Sequence, residues 1–118
     1  MRAVKRRSRV SGLIQAGVSE LLLKKIKDPR LALVTITSVE VSNDLRVAHV
    51  YFCVRNRPER EEEVRAGLES AMGFVRREMG RYLQLRYVPE LRFHYDESFD
   101  YGDRIDRILS KLHETGSD

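Results

Sequence analysis

The sequence predicts an α+β domain in which helices cover one face of a small β-sheet. Three observations carry that expectation. Apolar residues recur at helical spacing in three separate stretches, and runs rich in β-branched and aromatic residues lie between them. The chain has 118 residues, 42% of them hydrophobic, which suits one domain with one modest core. The expected order is helix, strand, strand, helix, helix, strand, helix. No repeat or low-complexity segment interrupts it.

In the first stretch Val10, Leu13, Ile14, Val18, Leu21, Leu22 and Ile26 form one buried stripe. Arg2, Lys5 and Arg9 project from the opposite side. This helix is expected to end near Lys27, because Pro29 disfavours helical dihedrals at Asp28. Lys24, Lys25 and Lys27 then fall in its last turn, where cations suit the negative end of the helix dipole. Residues 33–42 read as a strand, Asn43-Asp44 as a turn, and 45–55 as a second strand, together an antiparallel hairpin. Alternation places Ala48, Val50, Phe52 and Val54 on one face and Val47, His49, Tyr51 and Cys53 on the other.

Pro58 fits a first helical position, and Glu59, Glu61, Glu62 and Glu63 suit the positive end of the dipole. Val64, Leu68, Ala71, Met72, Val75, Met79, Tyr82 and Leu83 then keep helical period, so periodicity alone allows one unbroken helix to residue 83. Gly73 interrupts this run and marks a kink or a close contact. Leu91, Phe93 and Tyr95 alternate with Arg92 and His94 as a third strand. Asp100 and Asp103 read as the start of a last amphipathic helix through Leu112, with 113–118 frayed.

Charge is unevenly placed. The chain carries 22 basic and 18 acidic side chains, net +4, yet the first 30 residues alone hold nine basic and two acidic. Such asymmetry points to a polyanion partner. Arginine outnumbers lysine 17 to 5, and its planar fork suits phosphate; a GC-rich or thermophilic genome would produce the same bias. An Arg-rich, acid-poor amphipathic start also fits a transit peptide, but the stretch runs without a break into the domain. No apolar run exceeds the five residues 50–54, so no membrane span is expected.

Catalytic motifs are missing: no G-x-S-x-G, Walker loop or G-x-G-x-x-G occurs. The one cysteine excludes an intrachain disulfide framework and any multi-cysteine metal site. His49 and Cys53 share a strand face that His94 could join as a three-ligand metal site; three half-exposed side chains are the plainer reading. Asp96, Glu97, Asp100 and Asp103 could hold Mg²⁺ for phosphoryl chemistry, although turn and cap roles already explain Asp100 and Asp103. Two basic groups favour phosphate binding over a merely solvated face: Lys24, Lys25, Lys27 and Arg30, and Arg76, Arg77, Arg81 and Arg86. Arg2, Lys5, Arg6, Arg7 and Arg9 are further basic candidates. Phe74 either faces outward to stack on a base or turns into the core; core burial is preferred.

Several segments together resemble the ribosome-binding factor A family of bacterial small-subunit assembly factors. They are Ile26-Lys27-Asp28-Pro29-Arg30-Leu31, Val41-Ser42-Asn43-Asp44-Leu45 with Ala48, and Val88-Pro89-Glu90-Leu91 followed by Phe93. Tyr95-Asp96-Glu97-Ser98 and Gly102 also fit, and the resemblance covers about residues 7–112. It implies a type II KH-like fold whose usual GxxG loop is replaced by an interhelical kink, here at Ala71-Met72-Gly73. That kink is adopted as the expectation over the unbroken helix. The resemblance further implies a cytoplasmic, monomeric, non-enzymatic protein without cofactor. Its partners would be the free 30S subunit and 16S rRNA but not mature 70S ribosomes. Its role would lie in late 30S maturation, processing of the precursor's 5′ end and growth in the cold. The alternatives are a metal-dependent ribonuclease acting on precursor rRNA, and a basic-helix module for a protein or membrane surface.

Overall fold

The computed structural model describes residues 2–55, 57–83 and 87–98. They form helix α1 (Arg2–Lys24), strands β1 (Val34–Val41) and β2 (Val47–Val54), helix α2 (Glu61–Leu83) and strand β3 (Glu90–Tyr95). Short 3-10 turns at Pro29–Leu31 and Pro58–Arg60 introduce β1 and α2. The sheet order is β1-β2-β3, with β1 and β2 antiparallel and β2 and β3 parallel. A parallel neighbour needs a crossover, and α2 supplies it. This is the expected α+β architecture. The expected last helix from Asp100 to Leu112 lies outside the described residues.

One sheet face builds the core. Ala48, Val50 and Phe52 of β2 are fully buried, and Leu91, Phe93 and Tyr95 stand beside them in register on β3. Phe52 meets the rings of Phe93 and Tyr95 edge-on, at centroid distances of 6.5 and 5.6 Å. Burying one such side chain contributes about 1.5–3 kcal/mol. On β1 the apolar residues change parity, from Val34 and Ile36 to Val39 and Val41. A bulge between Ile36 and Ser38 absorbs the extra residue, so Ile36 pairs with Phe52 while Val39 pairs with Val50. All four valine and isoleucine side chains thereby reach the same face.

From α1 the core receives Val10, Ile14, Val18, Leu21 and Leu22. The helix stops at Lys24, three residues before the expected end. Leu21 O accepts from both Lys25 N–H and Ile26 N–H, at 2.9 and 3.0 Å, which unwinds the turn before the proline. Lys25 and Lys27 therefore lie beyond the helix.

The second helix corrects the family-based expectation. Glu61–Leu83 is one continuous helix of 23 residues, not two helices meeting at Ala71-Met72-Gly73. Val64, Leu68, Val75, Met79 and Leu83 are buried along it, with Ala71 and Met72 partly buried between. The buried stripe thus keeps its period through the segment, and packing needs no change of direction there. Gly73 lies on the exposed side, where an added Cβ would meet nothing within 4 Å. Phe74 does pack against the core as preferred, but from the flank of an unbroken helix.

Candidate RNA-binding surface

The exit of α1 combines a rigid turn with exposed cations. Asp28 is extended (φ −104°, ψ 115°), as the following proline requires, and its side chain caps the 3-10 turn by accepting from Arg30 N–H at 3.0 Å. The Arg30 guanidinium closes back on the same carboxylate, with Nη2 2.7 Å from Oδ2 and Nε 3.1 Å from both oxygens. The Arg30 hydrogen bonds hold the Asp28 carboxyl below its ordinary range and raise the arginine further above its own. Leu31, Arg30 and Asp28 all press on Gly67 of α2, where a Cβ would stand 3.0 Å from Leu31 Cδ2. Arg30, one of the expected phosphate contacts, is engaged with Asp28 in the turn. Lys25 and Lys27 are exposed and have no ion-pair partner among the described residues; Lys24 pairs with Glu20 at 3.4 Å, both well exposed.

On α2, Arg76 and Arg77 are exposed and likewise unpaired among the described residues. Arg81 is 83% exposed and only loosely paired with Glu78, at 3.9 Å. Exposed pairs of this kind contribute about 0–1 kcal/mol, so a phosphate can replace the carboxylate. The three arginines fan around the outward side of the helix. Arg76 follows Arg65 by about three turns, on the flank where Arg65 donates to Phe93 O of β3 at 2.9 Å. Arg86 falls outside the described residues.

Lys24 and Lys25 come within one cleft of α2, because Gly17 lets the two helices approach. A Cβ at Gly17 would sit 2.7 Å from Met79 Sδ and 3.5 Å from the Tyr82 ring. The α1 exit and the Arg81 end of α2 therefore adjoin. The N-terminal group does not join them: Arg9 precedes Lys24 by about 22 Å of helix. Arg6 and Arg9 are exposed, whereas Arg7 is half-buried and donates to Asn43 Oδ1 in the hairpin turn. Arg2 and Lys5 belong to α1, and their side chains fall outside the described residues.

Tyr82 was missed as a surface residue. Periodicity assigns it to the apolar stripe, yet it is 50% exposed beside the lysines. The signal was available: Leu83, its neighbour, completes the same stripe more directly after Met79.

The histidine–cysteine metal candidate separates. His49 Nδ1 and His94 Nε2 do meet, 2.8 Å apart on the face away from the helices. Cys53, four residues along β2 from His49, is about 13 Å away by strand geometry and cannot share a ligand sphere with it. Asp96 accepts hydrogen bonds from Thr37 Oγ1 and Ser98 Oγ, both at 2.6 Å, and so ties β3 to the bulge of β1. Asp100 and Asp103 fall outside the described residues. Among the described residues no group of three His, Cys, Asp or Glu side chains could hold a metal ion. Nor is any described helix long and apolar enough to cross a membrane.

The sequence model of ribosome-binding factor A matches residues 6–109. The chain belongs to the ribosome-binding factor A family. A ribosome-binding factor A of Syntrophobacter fumaroxidans is 50% identical over 111 residues, covering 92% of this chain and 95% of that one. Among solved structures, a Thermotoga maritima protein assigned to ribosome binding factor A aligns with TM-score 0.69 and 36% identity, over 78% of this chain and 88% of that one. The Thermus thermophilus ribosome binding factor A, as fitted into a cryo-EM map of a 30S complex, aligns with TM-score 0.59 and 24% identity over 78% and 92%. That last likeness concerns the fold alone. In this member of the ribosome-binding factor A family the turn at Asp28-Pro29-Arg30 packs against Gly67 of α2.

Proposed function

We propose that this protein binds the free 30S subunit through 16S rRNA and assists its late maturation without catalysing a reaction. The observation that carries the reading is the group of exposed cations, Lys25 and Lys27 in the segment that leaves α1 and Arg76, Arg77 and Arg81 on α2, set on elements that buried packing anchors. Lysine and arginine gain affinity by displacing counterions from phosphates, irrespective of sequence. A stiff array of them selects an RNA by shape. A protein with higher affinity for one rRNA conformer shifts the population toward it, and needs no bond-breaking chemistry to do so.

The family name supports a ribosomal partner. Processing of the precursor's 5′ end and growth in the cold follow as consequences of stabilising that conformer. The protein acts as a monomer in the cytoplasm and leaves mature 70S ribosomes unbound, because the matching RNA shape is gone. All basic residues named above contribute, with Arg30 acting through the turn it stabilises. No geometry among the described residues favours the metal-dependent ribonuclease.

Co-sedimentation with purified free 30S subunits and with 70S ribosomes tests this. Binding to free subunits that weakens steeply with salt is expected, with none to 70S. Equal binding to both would contradict it, and cleavage of precursor rRNA by the pure protein with Mg²⁺ or Mn²⁺ would contradict the non-catalytic reading.

A further inference from the structure

We infer that the cleft between the C-terminal halves of α1 and α2 receives one unpaired RNA base, stacked on Tyr82 with its flanking phosphates on Lys24, Lys25 and Arg81. This rests on the RNA-binding reading above and adds to it an uncharged contact. The cleft holds about 210 Å³, on the scale of a single flat ring system. Gly17 and Met79 make its floor, and a Cβ on Gly17 would meet the Met79 sulfur at 2.7 Å. Tyr82 makes a wall. One edge of its ring lies against Gly17 while half of its surface is exposed.

The chemistry around the ring favours a nucleobase as the occupant. Lys24 and Lys25 line the cleft on the α1 side, and Arg81, the residue before Tyr82, is exposed outside it within reach of a phosphate that flanks the base. Glu20 and Glu78 stand at the rim, and each is held by a cation of its own helix. Their free oxygens can accept from an exocyclic amino group, which favours adenine, cytosine or guanine over uracil. Such a base has to be outside a duplex, because stacked A-form bases offer no face to an aromatic side chain.

The test places the photo-crosslinking residue benzoylphenylalanine at Tyr82 and irradiates the protein on purified free 30S subunits. A ribonuclease-sensitive adduct at an unpaired 16S nucleotide is expected. An adduct to a ribosomal protein would assign the cleft to a protein partner and overturn the inference. So would the absence of any adduct while the protein still sediments with the subunits. In parallel, Tyr82→Ala is expected to weaken binding roughly 5- to 150-fold, the range of one base-stacking contact, and to leave the salt dependence unchanged. Tyr82→Phe is expected to bind like the parent. Salt-dependent binding by the parent with no loss in Tyr82→Ala overturns this inference alone; loss of salt-dependent binding by the parent itself overturns the RNA-binding reading.

Discussion

His49 Nδ1 lies 2.8 Å from His94 Nε2, and the two imidazoles clasp β2 to β3 on the face opposite the helices. One ring has to donate and the other accept, so at least one is neutral. Burial first, then the charges of His49, Arg65 and Arg92, hold His94 below the ordinary histidine value of 6.5. The folded state therefore binds fewer protons than the unfolded chain just below that pH, and stability rises with pH there. Denaturant midpoints are expected to fall between pH 7.5 and pH 5. The double variant His49→Gln, His94→Gln is expected to show a shallower pH dependence over that window. Equal slopes for parent and variant would contradict the clasp.

Glycine substitutions separate a continuous α2 from a kinked one. At Gly73 an added Cβ meets open space inside a regular helix. Gly73→Ala is expected to stabilise the fold by about 1 kcal/mol, the ordinary helix gain. At Gly17 the same gain is opposed by collision with the buried Met79, and Gly17→Val is expected to cost about 1–3 kcal/mol by overpacking. Thermal melting of the two variants checks both signs. A Gly73→Ala protein less stable than its parent would restore the kink.

Phe52 is fully buried at the centre of the sheet, between Phe93 and Tyr95 and beneath the Arg65 guanidinium, which lies 5.6 Å from its ring centre. Phe52→Ala is expected to cost about 3–5 kcal/mol, a large share of the roughly 5–15 kcal/mol that holds a small domain together. Urea titration measures it. A loss under 1 kcal/mol would mean the core sits elsewhere.

Arg30 and Lys25 are both basic and five residues apart, yet their roles differ. Arg30→Ala removes the partner of a turn-capping carboxylate and is expected to lower the melting temperature. Lys25→Ala is expected to leave melting unchanged and to weaken RNA binding at low salt. Reversed effects in the two assays would contradict the division.

Most of the architecture was legible because it rests on period. Alternation in β2 and β3 set which residues face the core, and the stripe of α1 is buried as expected at Val10, Ile14, Val18, Leu21 and Leu22, whereas Leu13, also assigned to it, is exposed. The α1 exit was misjudged because Lys25 and Lys27 look like helix-end cations, whereas a shared Leu21 carbonyl ends the helix earlier. The bulge at Thr37 was visible in principle, since Val34-x-Ile36 and Val39-x-Val41 differ in parity. The site was less legible. Exposure of Tyr82 depends on where α1 crosses α2, and commitment of Arg30 to Asp28 depends on the shape of a proline turn. Neither follows from residue spacing alone.

The most direct test measures the affinity for free 30S subunits across a range of salt concentrations, for the parent and for Lys25→Ala, Arg77→Ala. Each phosphate contact contributes roughly 0.7–0.9 to the slope of log affinity against log salt. The double variant is expected to lose up to about twice that amount while melting at the parent's temperature. Superimposable salt plots for the two proteins would show that these side chains do not touch the RNA backbone.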